Sequence, residues 1–431
     1  MATLATLSAP RKLACGLELR NRLAKAPMAE NFALRSERNL PGDLHFTAYR
    51  VWGEGEWGML ITGNVAVDPL YLGQPGDVAF HPNDLTDPEA LRRWKTWAEA
   101  CQASGTPTIV QINHPGRQAH PAAGERSFFS KTIAPSAVPL SLSGGWLERL
   151  AGWLFLGTPR EMTIKDINRV VEQFTGAAKM AFVAGFKGVE VHAAHGYLLT
   201  QFLSPKVNLR TDEYGGTPEK RLQLLLRILK EVRAATSKEF CVGVKLNSAD
   251  FQLMGLYDEE VLQQVKAISD AGVDFIEISG GTYEKPLMAQ SREGVPEKPI
   301  RESTRLREAY FADFAQKARE VAGSGTSIML SGGFRSRLGM ASAISEGSCD
   351  LIGIGRPACT EPHFPKDKML STDVPDEDAV VKSFVIPNGS FWRRVPIVGL
   401  HAESAWHAKQ MKIFGSGKAP DLNLKLRFAD F

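Results

Sequence analysis

Eight short apolar runs, each followed by a longer segment, constrain the fold of this 431-residue chain more than any other feature. Near-continuous apolar runs are typical of strands buried on both faces, which is the pattern of a parallel sheet. The runs are RLAKAPM (22–28), GMLITGNVAV (58–67), PTIVQIN (107–113), GVEVHAA (188–194), CVGVKLN (241–247), FIEISGG (275–281), SIMLSGG (327–333) and LIGIGRP (351–357).

The segments between these runs carry helix signals. Residues 87–105 open with Asp-Pro and end at glycine, and residues 163–185 begin at a threonine cap. The same plan predicts helices over 43–57, 217–235, 258–272, 306–323 and 336–347. Strand followed by helix, eight times, predicts a single (β/α)8 TIM barrel. An open doubly wound sheet is disfavoured, because the first run ends in Pro27-Met28 without a Gly-rich turn.

Two regions fall outside the repeat, so we divide the chain into a barrel at 1–360 and a C-terminal extension at 361–431. Residues 114–162 make a long excursion after the third strand, and we interpret it as a lid over the C-terminal face of the barrel. The extension is rich in proline and basic residues and includes Trp392, Arg393 and Arg394. We expect it to pack on the barrel or on a partner subunit, which leaves a homo-oligomer open.

Composition excludes several classes of function. The formal net charge of +3, from 51 basic and 48 acidic residues, gives no electrostatic case for binding nucleic acid. No run of about 18 apolar residues or signal peptide is present, so we expect no stable membrane insertion and a cytoplasmic location. The five cysteines form no C-x-x-C pair, and we therefore expect no metal site.

Glycines follow the seventh and eighth strands, where barrel enzymes bind phosphate groups. Ser331-Gly332-Gly333 ends the seventh run, and Gly353-Ile354-Gly355-Arg356 ends the eighth. Glycine lets backbone N–H groups approach an anion closely, and arginine adds charge-assisted hydrogen bonds. Tight turns alone would also use glycine, but glycines at both strands together with an arginine favour a phosphate site.

Two histidines and a tyrosine crowd the end of the fourth strand, as His192, His195 and Tyr197. A lone histidine is most often a hydrogen-bonded core residue. Two imidazoles together can donate hydrogen bonds to a substrate oxygen on which negative charge develops. The tyrosine hydroxyl is a candidate proton donor. In the fifth strand, Lys245 needs a negative partner, either Glu190 or Glu277, or a cofactor ring whose reduced form is anionic.

These segments together resemble the Old Yellow Enzyme family of FMN-dependent ene-reductases. The resemblance runs in order from KAPM (25–28) to GIGRP (353–357). Its most specific stretches are GVEVHAAHGYLLTQFLSPKVNLRTDEYGG (188–216), QINHPGR (111–117) and SGGF (331–334). It covers the 114–162 excursion and residues 361–431 poorly.

The resemblance implies a role for each matching residue. His192 and His195 match the pair that holds an activating carbonyl or nitro oxygen, and Tyr197 matches the proton donor. Gln111 matches a glutamine that binds the flavin pyrimidine ring, and Lys245 falls where the family usually has arginine. The other positions match segments that line the flavin ring or cradle its phosphate: Ala26, Pro27, Met28, Ala29, Asn64, Ser331, Gly332, Gly333, Gly355 and Arg356.

The implied activity is the reduction of electron-poor alkenes, with tightly bound FMN and with NADPH or NADH as the hydride donor. In the family's reaction the β-carbon receives hydride from flavin N5, while Tyr197 would protonate the α-carbon. Two departures bear on the flavin potential: Ala29 replaces a threonine or cysteine, and Lys245 replaces the arginine. Arg292 and Arg301 favour NADPH, and with Tyr283 they are candidates to line the substrate pocket.

Other functions fit parts of this pattern. A specialised flavin-dependent dehydrogenase or isomerase of a biosynthetic pathway would use the same barrel. Dienoyl-CoA reductases also share it, but they add an iron–sulfur motif that the cysteine spacing here does not provide. A flavin-binding protein without catalysis is a third alternative, which His192, His195 and Tyr197 together argue against.

Overall fold

The computed structural model describes residues 2–121, 123–127, 130–140, 157–247, 258–279, 314–381 and 396–426. All eight predicted strands are present, and they form one closed parallel barrel. They are β1 (Leu23–Lys25), β2 (Met59–Ile61), β3 (Thr108–Asn113), β4 (Gly188–Ala193), β5 (Cys241–Asn247), β6 (Phe275–Ser279), β7 (Ser327–Ser331) and β8 (Leu351–Ile354). The TIM barrel prediction is therefore confirmed.

Pairing of β3 with β4 closes the barrel, and β8 pairs with β1 on the other side. The register sets Gln111 opposite Glu190, and Lys245 opposite both His192 and Glu277. Because side chains alternate along a strand, these polar residues share the barrel interior near the C-terminal strand ends. Valine, leucine and isoleucine at the alternate positions pack against the surrounding helices.

Helices follow the strands as the sequence indicates. They are α1 (Asp43–Gly53), α2 (Pro88–Gln102), α3 (Ile164–Ala184), α4 (Pro218–Ala235), α5 (Asp258–Asp270), α6 (314–322) and α7 (Arg337–Ser345). Asp87 caps α2 by accepting a hydrogen bond from the Glu89 N–H at 3.0 Å. Thr163 and Asp166 form a capping box at the start of α3, which ends at Gly185 in the left-handed conformation.

An N-terminal hairpin closes the base of the barrel. Arg11–Lys12 pairs antiparallel with Glu18–Leu19. Leu13 and Leu19 pack into an apolar cluster at the bottom of the barrel interior. That cluster also contains Met59, Ile109, Cys241, Phe275, Met329 and Leu351. The hairpin therefore seals the end of the barrel opposite the predicted site.

The two regions outside the repeat are described in part. In the excursion, Ile133–Ala134 pairs with Arg160–Glu161, while 141–156 lies outside the described residues. The C-terminal helix Pro396–Gly415 packs on α1, with the rings of Trp52 and Phe414 5.1 Å apart. This contact supports an extension that packs on the barrel. The boundary at residue 360 and the lid stay predictions, and Trp392, Arg393 and Arg394 lie outside the described residues.

Among the helices in the described ranges, none combines the length and the apolar composition that crossing a bilayer requires.

Candidate functional site

A strained turn at the end of β4 positions the histidine pair. His195 has a φ of 57° and Gly196 a φ of 72°, both in the left-handed region. This region is uncommon for residues other than glycine, and strain of this kind clusters at functional sites. The His195 N–H donates to Asn247 Oδ1 at 2.9 Å, and its carbonyl accepts from Gln118 Nε2 at 3.2 Å. Neighbouring elements therefore hold His195 through both of its backbone polar groups.

His192 and His195 contact each other in a hydrogen-bonded series. The Ala194 N–H lies 3.2 Å from His192 Nδ1, so a neutral His192 carries its proton on Nε2. His192 Nε2 lies 3.3 Å from His195 Nδ1, and His195 Nε2 lies 3.4 Å from Ser279 Oγ. Burial, followed by the charge of Lys245, lowers the pKa of His192 well below 6.5. Burial, then His192 and Lys245, do the same to the pKa of His195. Both rings are therefore neutral near pH 7.

Tyr197 lies beside this pair and reaches toward a loop that the sequence analysis did not single out. Its ring centroid is 4.9 Å from that of His192. A Cβ placed on Gly73 would lie 2.7 Å from Tyr197 Oη and 3.1 Å from Asp77 Oδ2. The hydroxyl and the carboxylate therefore border the same small space. Burial raises the pKa of Asp77 to about 7, against hydrogen bonds from Gln74 and Asn64 that lower it.

The interior of the barrel beneath the histidines holds two carboxyl groups and one lysine. Lys245 Nζ lies 2.6 Å from Glu277 Oε1, and Gln111 Nε2 donates to Glu190 Oε2 at 2.6 Å. Burial, and next the charge of Glu277, raise the pKa of Glu190 well above 4.5, while Lys245 acts against them. Because one lysine cannot neutralise both carboxylates, we expect Glu190 to hold a proton near pH 7. Of the two partners that the sequence suggested for Lys245, Glu277 is the one in contact.

The ends of β7 and β8 form an open cradle. Gly332 and Gly333 have φ values of 116° and 80°, and a Cβ at either would meet nothing within 4 Å. A Cβ at Gly353 would lie 1.9 Å from Ser331 Oγ, so only glycine fits beside that hydroxyl. Ser331 Oγ is buried and has no hydrogen-bond partner among the described residues. Arg356 follows Gly355 directly, at the same end of β8.

The end of β1 runs between the cradle and β2. The Ala26 N–H donates to the Ile354 carbonyl at 2.9 Å, which extends the pairing of β1 with β8 by one residue. A Cβ at Gly355 would lie 3.0 Å from Met28 Sδ. On the other side, a Cβ at Gly63, next to Asn64, would lie 2.2 Å from the Met28 carbonyl. In this segment Ala26 is buried, and the residues from Pro27 to Ala29 are half-buried. The segment lies between Gly355, which follows β8, and Gly63, which follows β2.

Sequence reasoning brought most of these residues together and missed Asp77. Its only signal is the Pro75-Gly76 turn before it, which does not show what the carboxylate faces. The closeness of Glu190 to Glu277 was not predicted either, because it depends on the register of three neighbouring strands. Residues 248–257 and 280–313, including Tyr283, Arg292 and Arg301, lie outside the described part of the chain.

Comparison with known proteins assigns the family. A model of the family described as NADH:flavin oxidoreductase / NADH oxidase matches residues 7–371. The chain belongs to this family. It is 42% identical over 406 residues to the NADH-dependent flavin oxidoreductase iccE of Talaromyces variabilis, covering 93% of this chain and 96% of that protein. It is 36% identical over 354 residues to the NADH-dependent flavin oxidoreductase nadA of Aspergillus parasiticus, covering 80% and 74%.

Solved structures show the same barrel. Morphinone reductase superposes with a TM-score of 0.66 at 24% identity, covering 84% of this chain and 88% of that one. An Old Yellow Enzyme homologue from Zymomonas mobilis gives 0.67 at 22% identity, covering 88% and 95%. Together with the family match over residues 7–371, this shared fold confirms the resemblance to Old Yellow Enzymes. This flavin oxidoreductase uses FMN together with a reduced nicotinamide nucleotide.

The described residues fit FMN. Ser331 presents a buried hydroxyl that has no partner within the described ranges, and Gly332 and Gly333 leave open space for an anion close to the backbone. Glu190 Oε1 and Glu277 Oε2 are also buried without a partner among the described residues. Such polar atoms are costly to bury unsatisfied. The cradle and the polar interior lie at the same end of the barrel as the histidine pair.

Proposed function

We propose that this flavin oxidoreductase reduces electron-poor alkenes, in which the C=C bond is conjugated to a carbonyl or nitro group. The contact between two neutral histidines beside a tyrosine carries the proposal. Neutral imidazoles donate hydrogen bonds but carry no charge that would attract a carboxylate substrate. The buried residues Asn247 and Gln118 fix the backbone of His195. An electron-poor alkene supplies the oxygen that such a pair would bind.

His192 and His195 act on the substrate oxygen. His192 Nε2–H points at His195 Nδ1 at 3.3 Å, and a substrate oxygen would take that acceptor's place. His195 offers its own donor, the Nε2–H, which lies 3.4 Å from Ser279 Oγ in the structure. The donors bind the enolate-like oxygen of the transition state more strongly than the neutral carbonyl oxygen. This difference lowers the barrier to reaction.

Tyr197 provides the proton. Its hydroxyl Oη would pass a proton to the α-carbon while the β-carbon accepts hydride. Because the Tyr197 ring lies beside His192, a substrate whose carbonyl oxygen is bound by His192 would have its α-carbon near Tyr197. Bound FMN supplies the hydride chemistry. The atoms balance, because one hydride and one proton saturate the C=C bond.

We further propose that the matching residues hold FMN. Ser331, Gly332, Gly333, Gly355 and Arg356 would bind the phosphate. Gln111 and Lys245 would face the flavin pyrimidine ring, and Ala26 to Ala29 with Asn64 would border the rest of the ring. The open glycine space, the unpartnered Ser331 hydroxyl and the polar interior support these roles.

NADH is the proposed donor. The related proteins from Talaromyces variabilis and Aspergillus parasiticus are named NADH-dependent flavin oxidoreductases. The arginines that favoured NADPH in the sequence analysis lie outside the described residues. Parallel assays with equal NADH and NADPH concentrations test the choice, and we expect the larger kcat/KM with NADH.

Anaerobic turnover with 2-cyclohexenone tests the proposed function. We expect NADH consumption to match cyclohexanone formation one to one. Rapid reduction of the flavin by NADH without reoxidation by any enone or nitroalkene would refute the proposal and favour the specialised dehydrogenase or isomerase. If neither NADH nor NADPH reduces the flavin, the protein is instead a flavin-binding protein without catalysis.

A further inference from the structure

Two cysteines meet at the base of the barrel, at the end opposite the flavin site. Cys15 lies in the turn of the N-terminal hairpin, and Cys241 is the first residue of β5. Their sulfur atoms and a carboxylate oxygen of Asp274 all lie within 4.8 Å of one another. From Cys241, β5 runs roughly 20 Å before it reaches Asn247 beside His195. The cysteine pair is therefore separate from the proposed catalytic residues.

The two sulfurs differ in accessibility. Cys15 is partly exposed, whereas Cys241 is 0% exposed. The Cys241 thiol donates a hydrogen bond that lowers the pKa of Cys15, against burial and Asp274, which raise it. Burial raises the pKa of Cys241 well above 9. A partly exposed thiol next to a buried thiol is an arrangement that suits thiol–disulfide exchange, because the exposed sulfur can be reached and the buried one can complete the reaction.

The backbone around Cys15 can move more readily than the strand. Leu13 N–H donates to the Leu17 carbonyl at 2.9 Å and closes a short turn that contains Gly16, with a φ of 90°. A Cβ at Gly16 would meet nothing within 4 Å, so this turn has open space around it. Cys241 is fixed in the sheet by pairing with Gly188. Closure to a bond would therefore move the turn and leave the barrel in place.

A metal ion fits this cluster less well than a disulfide. Asp274 Oδ2 already accepts from the Val242 N–H at 2.7 Å and from Arg233 at 2.9 Å. A divalent cation at the cluster would lie beside the Arg233 guanidinium, and like charges repel. Asp274 thus has charge and hydrogen bonding satisfied without a metal.

We propose that Cys15 and Cys241 form a dithiol site that exchanges with low-molecular-weight disulfides and closes into an intramolecular disulfide. The Cys15 thiolate attacks the added disulfide, forms a mixed disulfide and releases one thiolate. Cys241 then loses its proton and attacks the Cys15 sulfur, which releases the second thiolate. The two cysteines lose two electrons and two protons, and the added disulfide gains the two electrons.

The test uses the reduced holoenzyme, treated with glutathione disulfide and then denatured and alkylated. Of the five thiols in the chain, we expect five to be alkylated before treatment and three afterwards. Peptide mapping should join the peptides of Cys15 and Cys241. The thermal midpoint should rise by a few degrees, because the cross-link restricts the unfolded chain.

Variants decide the assignment. Cys15→Ser alters only the exposed turn and should abolish the cross-link, while its flavin absorbance and its thermal midpoint match those of the reduced wild type. Cys349→Ala, at a buried cysteine outside the pair, should keep the cross-link. Five alkylated thiols after treatment, or a stable mixed disulfide on Cys15 alone, would overturn the proposal. Zinc retained stoichiometrically by the wild type but not by Cys15→Ser would replace it with a metal site. None of these outcomes depends on alkene reduction.

Discussion

At the scale of single residues, the proposed chemistry depends on where three side chains meet. Strain at His195 is stabilised by Asn247 and Gln118, which bind its two backbone polar groups. Tyr197 is only 4% exposed and contacts the ring of His192. Such a framework keeps donors in place as the reaction proceeds, which reduces the cost of reorganising them.

Removing the Tyr197 hydroxyl should separate the two half-reactions. We expect Tyr197→Phe to keep flavin reduction by NADH and to slow alkene reduction on the order of 10²-fold, the usual contribution of a general acid. Stopped-flow absorbance of each half-reaction measures this. Tyr214→Phe, whose hydroxyl contacts Arg227 at 3.0 Å, is the matched control and should change neither rate. Equal alkene rates in wild type and Tyr197→Phe would remove Tyr197 from the proposed role.

Asp77 should impose a pH dependence on the same step. Its pKa of about 7 means that the carboxyl is neutral in acid and charged in base. A charged Asp77 would oppose negative charge on the Tyr197 oxygen, so the rate of alkene reduction by the reduced enzyme should fall as pH rises through 7. Asp77→Asn should hold the rate near its low-pH value. The control Asp212→Asn, at a carboxylate paired with Arg210, should retain the wild-type profile. Coincident profiles for wild type and Asp77→Asn would contradict this role.

At the scale of elements, parallel register brings residues from four strands into one charged layer. The strands and helices could be predicted because apolar runs and caps are local signals, as Asp87 and Thr163 show. The pairing of Lys245 with Glu277 was open in the sequence, because it depends on which neighbouring carboxylate the register places within reach. Asp77 and Tyr197 approach each other from two loops, and Cys15 approaches Cys241 from a loop to a strand. Both pairs are far apart along the chain and have no periodic signal.

The Lys245–Glu277 pair should lower the flavin potential. Glu277 neutralises the lysine whose charge would otherwise stabilise a reduced, anionic flavin. We therefore expect the double variant Glu190→Gln/Glu277→Gln, in which Glu190 cannot ionise in place of Glu277, to raise the two-electron midpoint potential by on the order of 30 mV, equivalent to about 1.4 kcal/mol. Redox titration against a reference dye measures the change. Glu260→Gln, at a carboxylate paired with Arg221 between helices, should leave the potential unchanged. A potential that falls or stays constant in the double variant would contradict the proposed position of Lys245.

At the scale of the whole molecule, buried histidines link stability to pH. Burial lowers the pKa of His45 to about 3 and that of His114 to about 4, against 6.5 in the unfolded chain. The unfolded state therefore binds more protons below pH 6.5, and the folded state loses stability as the pH falls from there toward 4. Asp77 and Glu190, whose folded pKa values are raised by burial, act in the opposite direction and offset part of the histidine contribution.

This linkage can be measured on the holoenzyme. We expect the thermal midpoint of the wild type to fall steadily from pH 6.5 to pH 4.5. His45→Gln should show a shallower fall, because His45 alone accounts for about 2 kcal/mol over that range. His45 lies between the rings of Phe32 and Trp97, far from the barrel interior, so the variant should keep its flavin spectrum. Parallel curves for wild type and variant would show that His45 is protonated in the folded state.

In the proposed reaction, His192 and His195 bind the oxygen of an electron-poor alkene that reduced FMN then reduces. The most direct measurement is the rate at which 2-cyclohexenone reoxidises the dithionite-reduced holoenzyme under anaerobic conditions. We expect the flavin of the double variant His192→Ala/His195→Ala to be reoxidised at least on the order of 10²-fold more slowly than that of the wild type. The control His363→Ala, at a half-exposed histidine on the barrel exterior, should match wild type. Equal rates in the double variant and the wild type would contradict the claim.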